Sequence, residues 1–453
     1  MAGIDSTVVT IAIPTIGRAF HVGLGPLQWA VTGYTLTLSA LLVLAGSLGD
    51  RFGRRRIFLI GVVFFAFSSA ACALAQSPEM LIATRVLQGI GGALLTPGSL
   101  AILEASFVPT DRARAIGAWS GLGGVATAAG PILGGYLLAV ASWRLIFLIN
   151  LPIGAIVLLL TWRHVPESRD PDAHGRLDFL GAFLAVAALG GLTYALIEAP
   201  AKGWSSPTIV APLVAAVAAT AAFVVVERRS PTPMVPFGRV GNRQYVATNG
   251  ETFLVYAALS GVLFLLPVEL QVAHGYSPLA SGVSLLPLTA IMLVFSARSG
   301  RLASRIGPRL QMTLGPCVIA AGYLLLMLVG GSGAYLSAVL PGMVVIGAGL
   351  AIVVAPLTAT ALGSVAEESA GIASAINNAV ARAGGLIAVA LLPALAHIAG
   401  DAYRHPEQFS HGFRTACVIG AAWCLGGGVT ALVGIRNPPQ VDVPARLEGT
   451  RPI

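Results

Sequence analysis

Four charged side chains stand inside long apolar stretches of the sequence, where a charge is costly unless a partner or water compensates it. Asp5 and Glu251 are acidic, and Arg85 and Arg382 are basic. An acid that is alternately buried and exposed beside a cation can load and release a proton. Asp5 is therefore the first candidate for proton binding, with Arg85 as a candidate cation in the same part of the chain, and Glu251 is the second. The alternatives are a helix cap or a solvated terminal acid for Asp5, and an interfacial acid beside Arg243 for Glu251.

A short glycine-rich loop, GSLGDRFGRRR, begins at Gly46. Gly46 permits the close approach of two helices, and Gly53 permits a tight reversal of the chain. Asp50 can pair with a nearby arginine such as Arg51 or Arg54, or lie at the positive start of a helix. The sequence thus predicts a charged contact point between helices, with a solvated loop as the alternative.

A second glycine-rich stretch starts at Gly121 and contains Gly130, Pro131, Gly134 and Gly135. The proline removes a helix hydrogen bond, and the small residues around it let a neighbouring helix cross closely. The pattern predicts a bent and tightly packed helix. A glycine-rich packing face without a further role is the alternative.

The composition indicates that these elements are membrane helices. Of the 453 residues, 56% are apolar and only 10% are charged, and the mean hydropathy is +0.83. Soluble domains have about 25% charged residues, so an ordinary soluble enzyme, a disordered chain and a secreted disulfide scaffold are excluded. The one lysine, Lys202, precedes Gly203, and the sequence has no phosphate-binding loop, zinc motif or nucleophile elbow. We expect a protein that is not an enzyme, does not use ATP, and needs no cofactor or metal.

Uncharged stretches predict fourteen membrane helices, since one span needs about 20 apolar residues. The arginines cluster in alternate loops, which we interpret as membrane orientation with both chain ends in the cytoplasm, not as a nucleic-acid surface. The first stretch, from Met1 to Ile16, is marginal for a span. We therefore expect the first span to be truncated here and the natural chain to begin upstream of Met1.

The glycine-rich loop after the second predicted helix has a copy after the tenth. One offset aligns Gly46 with Gly300 and Gly53 with Gly307, but Asp50 with Ser304. Such a repeat is typical of two related six-helix bundles, here with two helices inserted between them. The predicted domains are a first bundle (1–163), a linker with the inserted helices (164–243), a second bundle (244–435) and a cytoplasmic tail (436–453).

These motifs resemble those of the major facilitator superfamily. The loop is similar to its signature G-x-L-x-D-R-x-G-R, the run from Arg85 to Gly89 to its fourth-helix motif R-x-x-Q-G, and the fifth helix to its antiporter motif G-x-x-x-G-P-x-x-G-G. Ala126 replaces the first glycine of the antiporter motif. The segments IDSTVVTIAIP, SWRLIFLINLPIG and GIASAINNAVARAGG look like the fourteen-span drug:proton antiporter branch, so the resemblance covers nearly the whole chain.

The resemblance implies an all-α membrane protein that exports small amphipathic or cationic drugs in exchange for protons by alternating access. It assigns proton coupling to Asp5 and Arg85, a conformational latch to the loop around Asp50, and the antiporter motif to the helix around Pro131. Arg85 as a structural residue that satisfies helix carbonyls is the alternative for that residue. A narrow exporter of an endogenous metabolite, a passive channel and a non-transporting receptor are the rival functions.

The substrate cavity of such a transporter is expected between the bundles near the membrane midplane. Aromatic and amide side chains accept varied apolar or cationic ligands. The candidate lining residues are Tyr34, Gln28, Tyr256, Asn377, Asn378 and Arg382. Arg382 could also be a counter-ion or a packing residue. The expected partners are a small-molecule substrate, protons and the lipid bilayer, with no nucleic acid, and the protein is expected to work as a monomer.

Overall fold

The computed structural model describes residues 1–170, 177–230, 233–236, 238, 241–366, 370–398, 400 and 405–437. These residues are almost entirely helical and contain no strand. The predicted tail lies outside them from residue 438 onward. Helix starts follow the sequence: the Ser77 hydroxyl, for example, accepts a hydrogen bond from the Met80 amide, with Pro78 at the first helical position.

The helices fall into three groups. The first bundle contains α1 (Ala2–Phe20), α2 (Leu24–Phe52), α3 (Arg54–Ala73), α4 (Pro78–Ser106), α5 (Pro109–Val140), α6 (Leu145–Leu148) and α7 (Asn150–His164). The inserted pair is α8 (Phe179–Lys202) and α9 (Pro207–Arg229). The second bundle contains α10 (Arg243–Val272), α11 (Pro278–Val283), α12 (Leu286–Ile306), α13 (Pro308–Leu326), α14 (Val329–Ser332), a π-helix (Tyr335–Val339), α15 (Leu340–Gly363), α16 (Ala370–Leu395) and α17 (Pro406–Gly434).

Thirteen helical segments among the described residues are long and apolar enough to cross a membrane. Together with α1, which has 19 residues, they match the fourteen predicted helices. Three of the segments join short pieces: α6 continues into α7, α11 leads into α12, and the π-helix leads into α15. The predicted all-α membrane fold is confirmed.

Small residues let the helices of the first bundle pack backbone to backbone. Gly89 of α4 lies against the Tyr34 carbonyl of α2, and Gly91 lies against the backbone of Phe65 in α3, so neither position has room for a Cβ atom. This close packing holds the polar residues of α4 in the interior of the bundle.

The loops between α2 and α3 and between α12 and α13 lie at the same face of the molecule, which we call the arginine-rich face. It carries Arg54, Arg163, Arg228, Arg243 and Arg309, all at helix ends. The contacts between the bundles lie toward the opposite face. There Gln28 of α2 donates hydrogen bonds to the carbonyls of Val389 (2.7 Å) and Ala390 (3.3 Å) of α16.

The inserted helix α8 packs on both bundles near that opposite face. Glu198 of α8 accepts a hydrogen bond from the Trp29 indole of α2 at 3.3 Å. Leu196 and Ile197 pack with Ala390 of α16. Helix α8 thus covers the junction of α2 and α16, where the two bundles meet.

The sequence repeat has a structural counterpart at the arginine-rich face. Arg55 donates to the Trp162 carbonyl near the end of α7 at 2.5 Å, and Arg309, its partner in the repeat, donates to the Leu432 carbonyl near the end of α17 at 2.8 Å. In each bundle the arginine thus ties the start of the third span to the end of the sixth.

In both bundles, a residue shortly after the end of the sixth span also caps the start of the third span. Glu167 accepts hydrogen bonds from the amides of Arg55 and Arg56, and Asn437 accepts one from the amide of Arg309. Each cap lies close to a glycine with positive φ, 110° at Gly53 and 83° at Gly307, where a Cβ atom would have no room.

Candidate functional site

The carboxylate of Asp5 is the centre of a buried polar network in the first bundle. Its Oδ2 atom accepts a hydrogen bond from Arg85 Nη1 at 2.5 Å. Its Oδ1 atom accepts from Gln88 Nε2 at 2.9 Å and from Asn150 Nδ2 at 3.1 Å. Asp5 and Arg85 are each 1% exposed, and Gln88 and Asn150 are fully buried. Three donors therefore surround the Asp5 carboxylate away from solvent.

A second set of contacts orients these donors. Ser69 of α3 accepts from Gln88 and from Asn150, both at 3.0 Å, and donates to the Phe147 carbonyl at 3.0 Å. Arg85 also donates to the Ala30 carbonyl of α2 at 2.9 Å and to Gln88 Oε1 at 2.6 Å. The network thus connects six helices of the bundle: α1, α2, α3, α4, α6 and α7.

Tyr34 of α2 packs against this network. The Arg85 guanidinium lies 4.3 Å from the centre of the Tyr34 ring. The Tyr34 hydroxyl is buried and has no hydrogen-bond partner among the described residues. Tyr34 also packs with Leu38 and Phe65, so its ring closes one side of the network within the first bundle.

The arrangement can respond to a proton because it depends on the charge of Asp5. Removing one partner of a buried ion pair typically costs about 3–5 kcal/mol, since the remaining charge is left uncompensated. Protonation of Asp5 would leave Arg85 in that condition. The contacts among α1, α4 and α7 would then weaken together.

The predicted latch residues lie together between α2 and α3. Asp50 Oδ1 pairs with Arg54 Nε at 2.8 Å across the chain reversal at Gly53. The Asp50 carbonyl accepts from the Asp170 amide at 3.0 Å. In this conformation the loop is therefore fastened within the first bundle, to the segment that follows α7. Gly46 faces Pro97 of α4, and Arg51 is exposed.

The glycines of α5 contact helices on two sides, α1 and α11. Gly130 and Gly134 lie against Thr7 and Val8 of α1, with no room for a Cβ atom. On the other side Gly135 meets Pro278 and Leu279 of α11, and the Pro131 carbonyl meets Gly282. The motif thus packs α1 on one side and the second bundle on the other.

The candidate cavity residues fall in different places. Tyr256, Asn377 and Asn378 line a cavity of about 110 Å³ between α10, α15 and α16. Asn377 donates to Asn249 Oδ1 at 3.1 Å and to Thr252 Oγ1 at 3.0 Å, so one of these amides is already engaged. Gln28 instead spans the contact between the bundles, as described above.

Two buried acids of α10 lie outside the network of the first bundle. Glu251 is fully buried, and neither carboxyl oxygen has a hydrogen-bond partner among the described residues. Glu269 accepts from the Ser410 hydroxyl at 2.6 Å and contacts His274 Nε2 at 3.2 Å. In the part of the chain that the structure describes, no group of His, Cys, Asp and Glu could hold a metal ion.

The whole helical arrangement, with its polar network and paired loops, has known relatives. The profile of the Major Facilitator Superfamily matches residues 1–389. The chain belongs to this superfamily. Among solved structures, this facilitator resembles a bacterial homologue of the human lysosomal transporter Spinster, in an inward-facing and unoccupied conformation. That likeness has a TM-score of 0.65 at 18% identity and covers 96% of each chain, and it shows the fold.

Curated relatives of this facilitator include drug-resistance proteins. It is 38% identical to the multidrug resistance protein Stp of Mycobacterium tuberculosis (strain CDC 1551 / Oshkosh), over 86% of this chain and 73% of the relative. It is 36% identical to the tetracenomycin C resistance and export protein of Streptomyces glaucescens, over 99% of this chain and 83% of the relative. These similarities support a drug exporter.

Sequence reasoning named Asp5 and Arg85 but missed the three polar residues that complete their network. Gln88 lies within the R-x-x-Q-G motif and Asn150 within the segment SWRLIFLINLPIG, so both had a signal in the sequence. Ser69 lies in the run SSAACA, where nothing distinguishes it from packing residues of a membrane helix.

Proposed function

We propose that this facilitator is a proton-coupled antiporter that exports small amphipathic drugs across the cytoplasmic membrane by alternating access. The supporting observation is the Asp5 network: one ionisable acid, held by Arg85, Gln88 and Asn150, ties α1 to α4 and α7 in the interior of the first bundle. An intramembrane acid with a paired cation is typical of a proton site.

In this proposal the arginine-rich face is cytoplasmic, as are both chain ends, because positively charged loops stay on that side. The bundles touch toward the opposite face, through Gln28 with Val389 and Gly135 with Leu279. The conformation is then open to the cytoplasm, with Asp5 ionised and ready for substrate. Protons enter in the alternate conformation, when the outer contacts have opened.

Protonation acts on the bundle contact through α1. A proton on the Asp5 carboxylate abolishes its charge, and the ion pair with Arg85 is lost. Asp5 is two residues from Thr7, which packs against Gly130 of α5. A shift of α1 is therefore passed to α5, whose Pro131 carbonyl contacts the second bundle. The first bundle (1–163) and the second (244–435) rock against each other as units, and one copy of the chain suffices.

The Asp50 loop holds the inner end of the first bundle during this motion. Its ion pair with Arg54 and its contact with Asp170 keep α2, α3 and the segment after α7 together. We propose that the loop restrains α2 in one conformation and is released in the other.

Export in cells that lack their own efflux pumps tests the proposal. Wild-type protein should lower the accumulation of some compounds in a panel of lipophilic antibiotics, acids and cations, and a proton uncoupler should abolish that effect. Asp5→Asn and Arg85→Ala should remove export at normal protein level in the membrane. Glu79→Gln, a change at an exposed acid in the first turn of α4, is the matched control. Export by Asp5→Asn that still responds to the uncoupler would refute the assignment.

A further inference from the structure

Arg382 of α16 is half-buried and has no counter-charge among the described residues. Its Nε atom is buried and has no hydrogen-bond partner in this part of the chain. The ion pairs found among the described residues are those of Arg54, Arg85, Lys202 and His274, and Arg382 takes part in none of them. An isolated guanidinium in the membrane interior is costly unless an anion or water compensates it.

Arg85, the other arginine within a span, has hydrogen-bond acceptors from the protein itself. It has the Asp5 carboxylate, the Ala30 carbonyl and the Gln88 amide oxygen as acceptors. Its charge is therefore balanced by this chain. Arg382 has no such acceptor among the described residues, and this contrast points to a bound ligand as its partner.

The surroundings of Arg382 are those of a binding site. Asn378 and Ala381, on the turn before it, line the cavity of about 110 Å³ together with Tyr256. Arg382 follows Asn378 by four positions, so the two side chains lie on the same face of α16. A positive charge and an amide are thus neighbours beside a cavity that Tyr256 also lines.

Among the described residues, no acid pairs with Arg382. Asp5 is engaged with Arg85 behind the Tyr34 ring. Glu251 lies on α10 beside Gly427 of α17 and has no partner among the described residues. A cationic group placed beside Arg382 would meet like charge, whereas an acidic oxygen would find a guanidinium donor.

We propose that Arg382 binds the anionic oxygen of an amphipathic acid, such as a carboxylate, beside the cavity lined by Tyr256 and Asn378. The inference rests on the proposed export function and specifies its substrate class: lipophilic acids are preferred to the cationic drugs that the sequence resemblance implies.

A matched set of fluorescent probes tests this preference. Pyrenebutyrate, pyrenebutanol and pyrenebutyl-trimethylammonium share one ring system and differ in the charge of the head group. Their binding to purified protein in lipid nanodiscs can be followed by energy transfer from tryptophan to pyrene, with empty nanodiscs as the baseline. We expect the carboxylate to bind about tenfold or more tightly than the alcohol, and the ammonium compound to bind most weakly.

Substitution of Arg382 should remove this order. In Arg382→Gln the affinities for the carboxylate and the alcohol should become equal, while Arg382→Lys should keep part of the preference and shows that the site still folds. Arg228→Gln, at the exposed end of α9, is the control and should bind all three probes as wild type does. An unchanged carboxylate preference in Arg382→Gln, or tighter binding of the ammonium probe by wild type, overturns the inference.

The outcome separates this inference from the proposed function. If the Arg382-dependent preference is found but pyrenebutyrate export from cells is insensitive to a proton uncoupler, the anion site stands and proton-coupled export fails. If export is uncoupler-sensitive but the preference is absent, the proposed function stands and the anion site fails.

Discussion

Asn150→Leu should move the pH dependence of transport without destroying the fold. Asn150 donates to Asp5 Oδ1 at 3.1 Å, and leucine has a similar volume but no donor. A hydrogen bond to a charged group typically contributes about 1.5–3 kcal/mol. The loss disfavours the ionised carboxylate relative to the protonated one, so the proton is held to higher pH. Since about 1.4 kcal/mol corresponds to one pH unit, the midpoint of the transport–pH curve should rise by about 1–2 units.

The assay is substrate uptake into inside-out vesicles with an imposed proton gradient, measured across a range of internal pH. Asn150 also donates to Ser69, but Ser69 still accepts from Gln88, so this part of the network persists. The control is Asn242→Ala, which removes the cap at the start of α10 and should lower stability by about 1 kcal/mol without moving the midpoint. An active Asn150→Leu protein with an unchanged midpoint would refute the role given to these donors.

Three further changes have distinct expected results. Asp50→Asn should lower the transport rate more than substrate binding, because it removes the ion pair between Asp50 and Arg54. Ser304→Ala, at the matching position of the repeat, should change neither. If Asp50→Asn lowers transport and binding equally, the latch role is contradicted. Glu251→Gln should preserve expression and substrate binding, since neither oxygen of the Glu251 carboxyl has a hydrogen-bond partner among the described residues that the change would remove. Loss of substrate binding at normal expression would show that the carboxyl is needed. Gly282→Val should prevent closure of the outer face, because the new side chain would clash with the Pro131 carbonyl. Cross-linking between cysteines placed on the two bundles at the outer face should then drop severalfold. Full cross-linking would contradict the contact.

The fold was largely predictable because membrane helices have a simple sequence pattern. Uncharged stretches and clustered arginines depend on the bilayer and not on tertiary contacts, so the number of helices could be predicted. The repeat around Gly46 and Gly300 likewise anticipated the paired contacts of Arg55 and Arg309. The breaks between short pieces, such as α6 and α7, depend on packing and left no clear signal.

The site was less predictable, because contacts between distant residues decide it. Charge drew attention to Asp5, Arg85 and Arg382, since a charge is conspicuous in an apolar stretch. Ser69 and Asn150 are ordinary polar residues whose importance comes from where their helices bring them. Whether an arginine has a partner is also set by tertiary structure.

Proton release on substrate binding tests the central claim most directly. Purified wild-type protein is equilibrated in weakly buffered solution, at a pH where Asp5 is partly protonated, and mixed with a transported compound beside a pH indicator dye. Wild type should release protons in proportion to the substrate bound, and Asp5→Asn should bind substrate without releasing them. Equal proton release by wild type and Asp5→Asn would contradict the account.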